Sequence, residues 1–220
     1  MIKEIKSSIL RLEVVYLMVN WETYLAPYSQ VVEELKVKLK GMQAQFECES
    51  KHSPIEFITG RVKPIPSILE KVEEKSISLD HMDKIIQDIA GIRIVCQFVD
   101  DIYKTVDMIK SRKDLTVIGE KDYIKKNKDS GYRSYHLIIE YPVETIHGAK
   151  IVLAEIQIRT LAMNFWAINE HSLNYKYKGS IPTEIKSRLK AAAEAAFKLD
   201  EEMSKIKNEV QEAQRVFHRM

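Results

Sequence analysis

The sequence predicts one mixed α/β (α+β) domain, in which a five-stranded sheet is flanked by helices and long helices lie at both ends. Strongly apolar runs at 91–99 and 151–158 are typical of strands in the centre of a sheet. A helical apolar period indicates a first helix at 20–47 and a last, long helix after Pro182. At 220 residues the chain is long enough for one good-sized core.

The elements between the long helices follow from apolar runs and from proline. Pro64 suits the first turn of a helix, which is expected to run to about Lys75. A second helix is expected at 102–111, and a third begins where the last strand ends. The five expected strands are 55–62, 91–99, 115–120, a strand beginning near Tyr132, and 151–158.

Composition and charge are typical of a soluble globular chain and exclude few classes of function. Charged residues make up 30% and hydrophobic residues 45% of the sequence. The net charge of +2 is too small to argue for DNA or a membrane as a partner. Cys48 and Cys96 lack the spacing of a metal site, so we expect reduced thiols and a cytoplasmic location.

The first 19 residues are expected to be an N-terminal extension of uncertain status. Arg11 and Glu13 interrupt its apolar residues, so it resembles neither a signal peptide nor a membrane-spanning helix. Met18 directly precedes the first helix and is an alternative start. No repeat or low-complexity linker interrupts residues 20–214, which we interpret as a single domain that includes both long helices.

Glu155 lies in the middle of the most apolar expected strand. The two-residue period of a strand places Glu155, Gln157 and Arg159 on one face and the apolar side chains on the other. A buried carboxylate is costly unless a cation or a metal ion pairs with it. We therefore expect a ligand site here, and a solvated glutamate at a strand–helix corner is the alternative.

Basic residues surround the helix expected at 64–75. Arg61 and Lys63 precede it, and Ser67 and Lys71 lie one turn apart within it. Cations and a hydroxyl near a helix N-terminus suit a polyphosphate, because the helix dipole and free N–H groups also attract anions. No Walker glycine loop is present, which argues against a P-loop fold. An ordinary basic surface helix is the alternative.

A second carboxylate, Asp88, comes just before the strand that contains Arg93. Two acids in one sheet offer hard oxygen ligands that suit Mg²⁺, which substrate phosphates usually complete. Positioning and charge are nearly all that phosphoryl or pyrophosphoryl transfer demands of a protein. The residues alone thus predict a Mg²⁺-dependent transferase acting on a nucleotide, and a turn-capping Asp88 is the alternative.

Two further basic regions allow more than one interpretation. The loop 121–131 is basic, and Tyr132 at its end can stack on a nucleotide base, although a strand tyrosine often only packs. Lys36 and Lys40 are like charges one turn apart on the first helix. They form either an ordinary solvated face or an anion site.

Four motifs occur in order: GRVKPIPSILEK, DIAGIRI, SGYRSYH, and EIQIRT followed by NFWAINEHSLNYKY. Over residues 20–214 the chain resembles the synthetase domain of the RelA/SpoT superfamily, and within it the small alarmone synthetases of the RelQ type. The resemblance implies a nucleotidyltransferase-like fold with a mixed, mostly antiparallel sheet. It also implies a (p)ppGpp synthetase of the stringent response, which moves the pyrophosphate of ATP to the 3′-hydroxyl of GDP or GTP and releases AMP.

The resemblance assigns roles to individual residues of this sequence. Asp88 and Glu155 would bind Mg²⁺, and Glu155 would also take the proton of the 3′-hydroxyl. The residues expected to bind ATP are Arg61, Lys63, Ser67, Lys71 and Arg93, with the arginines beside the adenine. The residues expected to bind GDP or GTP are Tyr132, which would stack on guanine, His136, Gln157 and Asn164.

The RelQ type further implies a homotetramer whose central cleft binds pppGpp as an allosteric effector. The residues that match this cleft are Lys36, Lys40, Phe57 and Thr59. Two other functions stay open: a pyrophosphokinase of the same fold that acts on adenosine nucleotides or the tRNA 3′ end, and a non-catalytic regulator that binds single-stranded RNA or nucleotides. The acid pair argues against a pure anion binder.

Overall fold

The computed structural model describes residues 19–78, 81–177 and 181–217. The helices of these segments are α1 (Trp21–Cys48), α2 (Ile65–Glu74), α3 (Met82–Ile85), α4 (Val99–Lys110), α5 (Leu161–Lys176) and α6 (Thr183–Phe217). The strands are β1 (Phe57–Val62), β2 (Ala90–Cys96), β3 (Thr116–Asp122), β4 (Tyr135–Thr145) and β5 (Gly148–Thr160). Residues 1–18, most of the predicted extension, lie outside the described residues.

The strands form one five-stranded sheet in the order β1-β2-β5-β4-β3. The two central strands, β2 and β5, run parallel, and the other three pairs are antiparallel. The predicted mixed, mostly antiparallel sheet is therefore confirmed. The parallel pair is enclosed on both sides by other strands, which suits its strongly apolar sequence.

The hydrophobic core lies between one face of the sheet and the helices α1 and α4. Alternate residues of the central strands, such as Ile92 and Ile156, are fully buried on this face. At Gly60 of β1 a Cβ atom would lie only 2.7 Å from Cγ1 of Val32, so glycine allows α1 to approach the strand closely. This packing leaves the opposite face of the sheet for polar side chains.

The helices α5 and α6 extend the fold beyond the last strand. Thr160 ends β5 and caps α5, because its hydroxyl accepts a hydrogen bond from the Met163 amide at 3.1 Å. Trp166 of α5 donates its indole N–H to the carbonyl oxygen of Leu189 in α6 at 2.8 Å. In the described part of the chain, no helix is both long and apolar enough to cross a membrane.

Several predicted boundaries differ from the structure. The run at 91–99 ends as a strand at Cys96, because Asp100 and Asp101 occupy the first turn of a helix that already begins at Val99. The strand expected from Tyr132 begins at Tyr135, and it continues through a tight turn at 146–147 into β5. The sequence did not predict this hairpin or the short helix α3.

Candidate active site

The register of the sheet brings the predicted polar residues onto one face. Arg93 of β2 lies opposite Gln157 of β5, and Gln157 lies opposite His136 of β4. Glu155 lies opposite Gly91, two residues earlier along the same pair of strands. Residues that face each other across a ladder share one side of the sheet, so strands far apart in sequence supply one site.

Asp88 lies two residues before β2 and binds two lysines. Its Oδ2 atom accepts hydrogen bonds from Lys63 Nζ at 3.0 Å and from Lys71 Nζ at 2.7 Å. Burial would raise the pKa of Asp88, but the two ammonium groups outweigh this effect and hold the pKa below its usual value. Oδ1 is buried and has no hydrogen-bond partner among the described residues.

Glu155 is held by its neighbours on the sheet. Its Oε1 atom lies 2.8 Å from His136 Nδ1, and its Oε2 atom accepts a hydrogen bond from Gln157 Nε2 at 2.7 Å. Burial would raise the pKa of Glu155, but His136 and Gln157 more than compensate and lower it. The charge of Asp88 acts in the opposite direction and raises the pKa of Glu155.

Two cavities meet at Asp88 and Glu155, which line both of them. The smaller cavity, of about 140 Å³, also carries Arg61, Arg93 and Gln157. The larger, of about 330 Å³, is bordered by cations and rings that include Lys71, Lys121, Lys128, Tyr123 and His136. A pair of acids between two cationic cavities suits a reaction that joins two phosphorylated substrates.

The acid pair fits a magnesium ion that a substrate completes. Among the described residues, no group of three or more His, Cys, Asp or Glu side chains could hold a metal ion. Mg²⁺ keeps several waters and is usually bound by one or two carboxylates together with substrate phosphates, rather than by a cage of protein ligands. Asp88 Oδ1, which is buried and has no hydrogen-bond partner among the described residues, would be a ligand for such an ion.

Three arginines, Arg61, Arg93 and Arg159, lie on the same face of neighbouring strands. Burial lowers the pKa of Arg93, and the charges of Arg159 and Arg61 lower it further. The Nε atom of Arg93 is buried and has no hydrogen-bond partner among the described residues. Repulsion between these positive charges would be relieved by a negatively charged ligand.

Tyr132 connects Glu155 to Arg159 through a chain of hydrogen bonds. Its hydroxyl lies 2.8 Å from His136 Nε2 and accepts a hydrogen bond from Arg159 Nη2 at 2.6 Å. If Tyr132 donates to Nε2, the proton on His136 Nδ1 is donated to Glu155, so a neutral histidine satisfies every partner. Arg159 also donates to Gln157 Oε1 at 2.9 Å and thereby closes the network.

The predicted residues Ser67 and Asn164 line neither cavity at the acid pair. Ser67 of α2 is half-buried one turn before Lys71. Asn164 of α5 is buried, its Oδ1 atom has no hydrogen-bond partner among the described residues, and it does not line either cavity. The sequence analysis did not assign a nucleotide-binding role to Arg159, Lys121, Tyr123 or Lys128, although Arg159 was predicted to share the face of Glu155.

The four residues predicted to bind an effector lie at the β1 edge of the sheet and on α1. Phe57 and Thr59 belong to the edge strand itself. Lys36 lies against that strand, since a Cβ atom on Gly60 would come within 3.1 Å of its Cδ atom. Lys40, one turn further along α1, is exposed. The role of these residues in effector binding stays a prediction.

Comparison with known proteins identifies the family. Residues 60–180, more than half of the chain, match the family model described as a region found in RelA / SpoT proteins. The chain belongs to the RelA/SpoT family. The resemblance inferred from the four motifs is confirmed, and these motifs all include residues of the matched region.

This RelA/SpoT family member has close relatives in Bacillus subtilis (strain 168). It is 63% identical over 200 residues to GTP pyrophosphokinase YjbM, a match that covers 91% of this chain and 94% of that protein. It is 43% identical over 195 residues to GTP pyrophosphokinase YwaC, with 88% and 93% covered.

Solved structures of the family share the fold. Small alarmone synthetase 1 from Bacillus subtilis, bound to its product pppGpp, matches with a TM-score of 0.84 and 62% identity over 87% of this chain and 98% of that one. A GTP pyrophosphokinase family protein from Streptococcus pneumoniae matches with a TM-score of 0.85 and 56% identity over 90% and 98%. The predicted synthetase fold is therefore confirmed.

Proposed function

We propose that this chain is a (p)ppGpp synthetase, which transfers the β,γ-pyrophosphate of ATP to the 3′-hydroxyl of GDP or GTP. The 3′ oxygen bonds to the β-phosphorus, the bond from that phosphorus to the oxygen on the α-phosphate breaks, and AMP leaves. The observation that carries the proposal is the acid pair, Asp88 and Glu155, at the junction of two cationic cavities. The 63% identity to a protein named GTP pyrophosphokinase supports the same reaction.

ATP is proposed to occupy the smaller cavity, with Arg61 and Arg93 beside the adenine. Lys63, Ser67 and Lys71 would hold its phosphates. Both lysines bind Asp88, and phosphates would attract their ammonium groups away from this carboxylate. Asp88 and Glu155 would then hold Mg²⁺, which neutralises charge on the phosphates when bound.

The guanosine nucleotide is proposed to bind on the other side of the acid pair. Tyr132 would stack on the guanine, a contact worth about 1–3 kcal/mol per base, and His136 lines the larger cavity on this side. Gln157 lines the smaller cavity and Asn164 lines neither, so their proposed contacts with the acceptor rest on the family resemblance. Glu155 would accept a hydrogen bond from the 3′-hydroxyl. Its lowered pKa makes it a modest base, so holding the hydroxyl in line for attack is the larger part of its role.

The proposed reaction is tested by supplying labelled ATP with GDP, GTP, AMP or tRNA and separating the products by thin-layer chromatography. We expect label on GDP and GTP only. Glu155→Gln and Asp88→Asn should lower the rate by at least about 10²- to 10⁴-fold while circular dichroism stays unchanged. Glu144→Gln is a matched control, because Glu144 is an exposed residue of β4, and its activity should equal that of the wild type.

Other outcomes of this assay would replace the proposal. Label on AMP or tRNA would identify the same-fold pyrophosphokinase with another acceptor. Absence of turnover with every acceptor, together with salt-dependent affinity for single-stranded RNA, would favour a non-catalytic regulator that uses the basic loop 121–131. RNA binding beside catalysis, like a cytoplasmic location, stays a prediction.

A homotetramer regulated by pppGpp is the proposed working state. An apolar groove of about 740 Å³ runs between α5 and α6 and includes Phe165 and Leu199, whose side chains are largely exposed. A second copy of the chain is the proposed occupant, because surfaces of this kind mark protein interfaces. The effector would bind at Lys36, Lys40, Phe57 and Thr59. Titration with pppGpp should stimulate synthesis, and sigmoidal kinetics that pppGpp does not relieve would contradict this proposal.

A further inference from the structure

We infer that Arg133 and Glu194 form a clamp through which helix α6 fixes the position of Tyr132 and so sets the affinity for the acceptor nucleotide. The inference rests on the proposed function, in which Tyr132 stacks on guanine. Neither clamp residue lines the two cavities at the acid pair. Both are therefore proposed as positioning residues rather than as catalytic ones.

Arg133 joins the loop that carries Tyr132 to helix α6. Its Nη2 atom donates to both carboxylate oxygens of Glu194, at 3.2 Å and 3.1 Å. Its Nη1 atom donates to the carbonyl oxygen of Gly131 at 3.3 Å. The guanidinium also lies over the ring of Phe197, 4.1 Å from its centroid. One nearly buried side chain thus contacts the loop and two residues of the helix.

Gly131 fixes the other side of Tyr132 to the same helix. Its φ of +89° lies in the left-handed region that favours glycine. A Cβ atom at this position would lie 2.6 Å from Cβ of Ala193, so the loop backbone rests directly on α6. The ring of Tyr132 packs with Trp166 and Ala193. Both chain neighbours of Tyr132 are therefore held to α6, while its hydroxyl is bound to His136 and Arg159 of the sheet.

Stability alone does not explain the clamp. Glu194 is 42% exposed, and an ion pair with such a partner contributes little to the free energy of unfolding. The Nε atom of Arg133 is buried without a hydrogen-bond partner among the described residues, which is an added cost. What the arrangement does supply is a fixed geometry for the peptide of Tyr132, and small displacements of a substrate-positioning group are costly to catalysis.

The test measures KM for GDP and KM for ATP separately in Glu194→Gln, Arg133→Lys and Arg133→Gln. Glu194→Gln nearly preserves shape at a half-buried site, and Arg133→Lys preserves charge. We expect KM for GDP to rise about tenfold in Glu194→Gln and Arg133→Gln, less in Arg133→Lys, and KM for ATP to change less than twofold. Glu202→Gln, an exposed carboxylate of the same helix, should change neither constant.

The double variant Arg133→Gln/Glu194→Gln distinguishes a clamp from two independent contacts. If the two residues act as one unit, its KM for GDP should equal that of Arg133→Gln alone rather than show the product of both effects. Equal increases in both KM values, or a lower melting temperature with both KM values unchanged, would overturn the inference and leave only a structural role.

Calorimetric titration with GDP keeps this test separate from the proposed reaction. If the wild type transfers no pyrophosphate but binds GDP, the proposed function fails, and the dissociation constant for GDP in the clamp variants still decides the inference. A tenfold weaker GDP complex in Glu194→Gln supports the clamp. Unchanged GDP affinity, or a wild type that does not bind GDP, overturns it.

Discussion

Asp200 of α6 is a buried carboxylate with a raised pKa. It is only 5% exposed, and its Oδ2 atom accepts a hydrogen bond from the Thr160 hydroxyl at 2.6 Å. Burial raises its pKa from 3.8 to about 6, although the Thr160 hydrogen bond and the charge of Arg133 act in the opposite direction. Between pH 3.8 and about 6, Asp200 is therefore mostly protonated in the folded protein and mostly ionised in the unfolded chain.

The raised pKa predicts that Asp200→Asn stabilises the protein above pH 6 but little near pH 4. In the wild type, protonated Asp200 contributes its full stabilisation below the unfolded pKa, and this contribution is lost as the pH rises through the folded pKa. The loss in the free energy of unfolding is roughly 3 kcal/mol for a difference of about two pKa units. Asparagine can still accept the hydrogen bond of Thr160. Thermal unfolding of both proteins at pH 4.5 and 7.5 measures this, and a difference in melting temperature that is equal at both pH values would contradict it.

The long helix α6 is held to the body at three successive polar contacts. Glu194 binds Arg133 and Asp200 binds Thr160. Further along, Lys207 Nζ donates to both oxygens of Asp101, at 3.1 Å and 3.2 Å. Asp101 is fully buried and is also bound by His52, from the segment before β1, and by Lys104, one turn further along α4. This last contact fixes the C-terminal half of the helix.

Lys207→Met should therefore lower the free energy of unfolding by about 1–3 kcal/mol, because it removes one partner of a buried charge. His52 and Lys104 remain and limit the loss. Lys205→Met on the same helix is the matched control, since its ion pair with Glu202 is exposed and its effect should stay within about 0.5 kcal/mol. Urea unfolding compares the variants, and equal losses at both positions would contradict the assignment.

Among the described residues, the sequence predicted every strand and every helix except the short α3, but not which of their faces meet. The two-residue period correctly placed Glu155, Gln157 and Arg159 on one face, because alternation is a local property of a strand. The pairing of Asp88 with Lys63 and Lys71 depends on strand order and on backbone approach, which no local pattern specifies. These tertiary contacts hold the charged side chains of the site in position.

The apolar residues of α6 also show that the sequence did not predict which faces meet. The helical spacing of its apolar residues predicts packing on the body or on another subunit; they are Ala192, Ala196, Leu199, Met203 and Ile206. Within the chain they remain partly or largely exposed, and the body is contacted instead by residues such as Ala193 and Asp200. A helix with two usable faces cannot be oriented from its period alone.

For the whole molecule, the exposed groove between α5 and α6 predicts how assembly can be broken. Leu199 lines this groove and is 58% exposed, so Leu199→Glu should leave the fold intact. A charge there should disrupt contact with a second copy and release smaller species in sedimentation or light scattering. Lys198→Glu is the control, because Lys198 is exposed and does not line the groove. An unchanged mass for Leu199→Glu would contradict this interface.

The two acids are attached to the parallel central strands, with Glu155 inside β5 and Asp88 just ahead of β2. Several groups proposed to bind the nucleotides lie outside this parallel pair: Arg61 on the edge strand β1, Lys71 on α2, Tyr132 in a loop and Asn164 on α5. Substitutions outside the two central strands would therefore change substrate specificity without changing the relative position of Asp88 and Glu155. This division of labour offers a route by which one scaffold diversifies its acceptors while its chemistry stays the same.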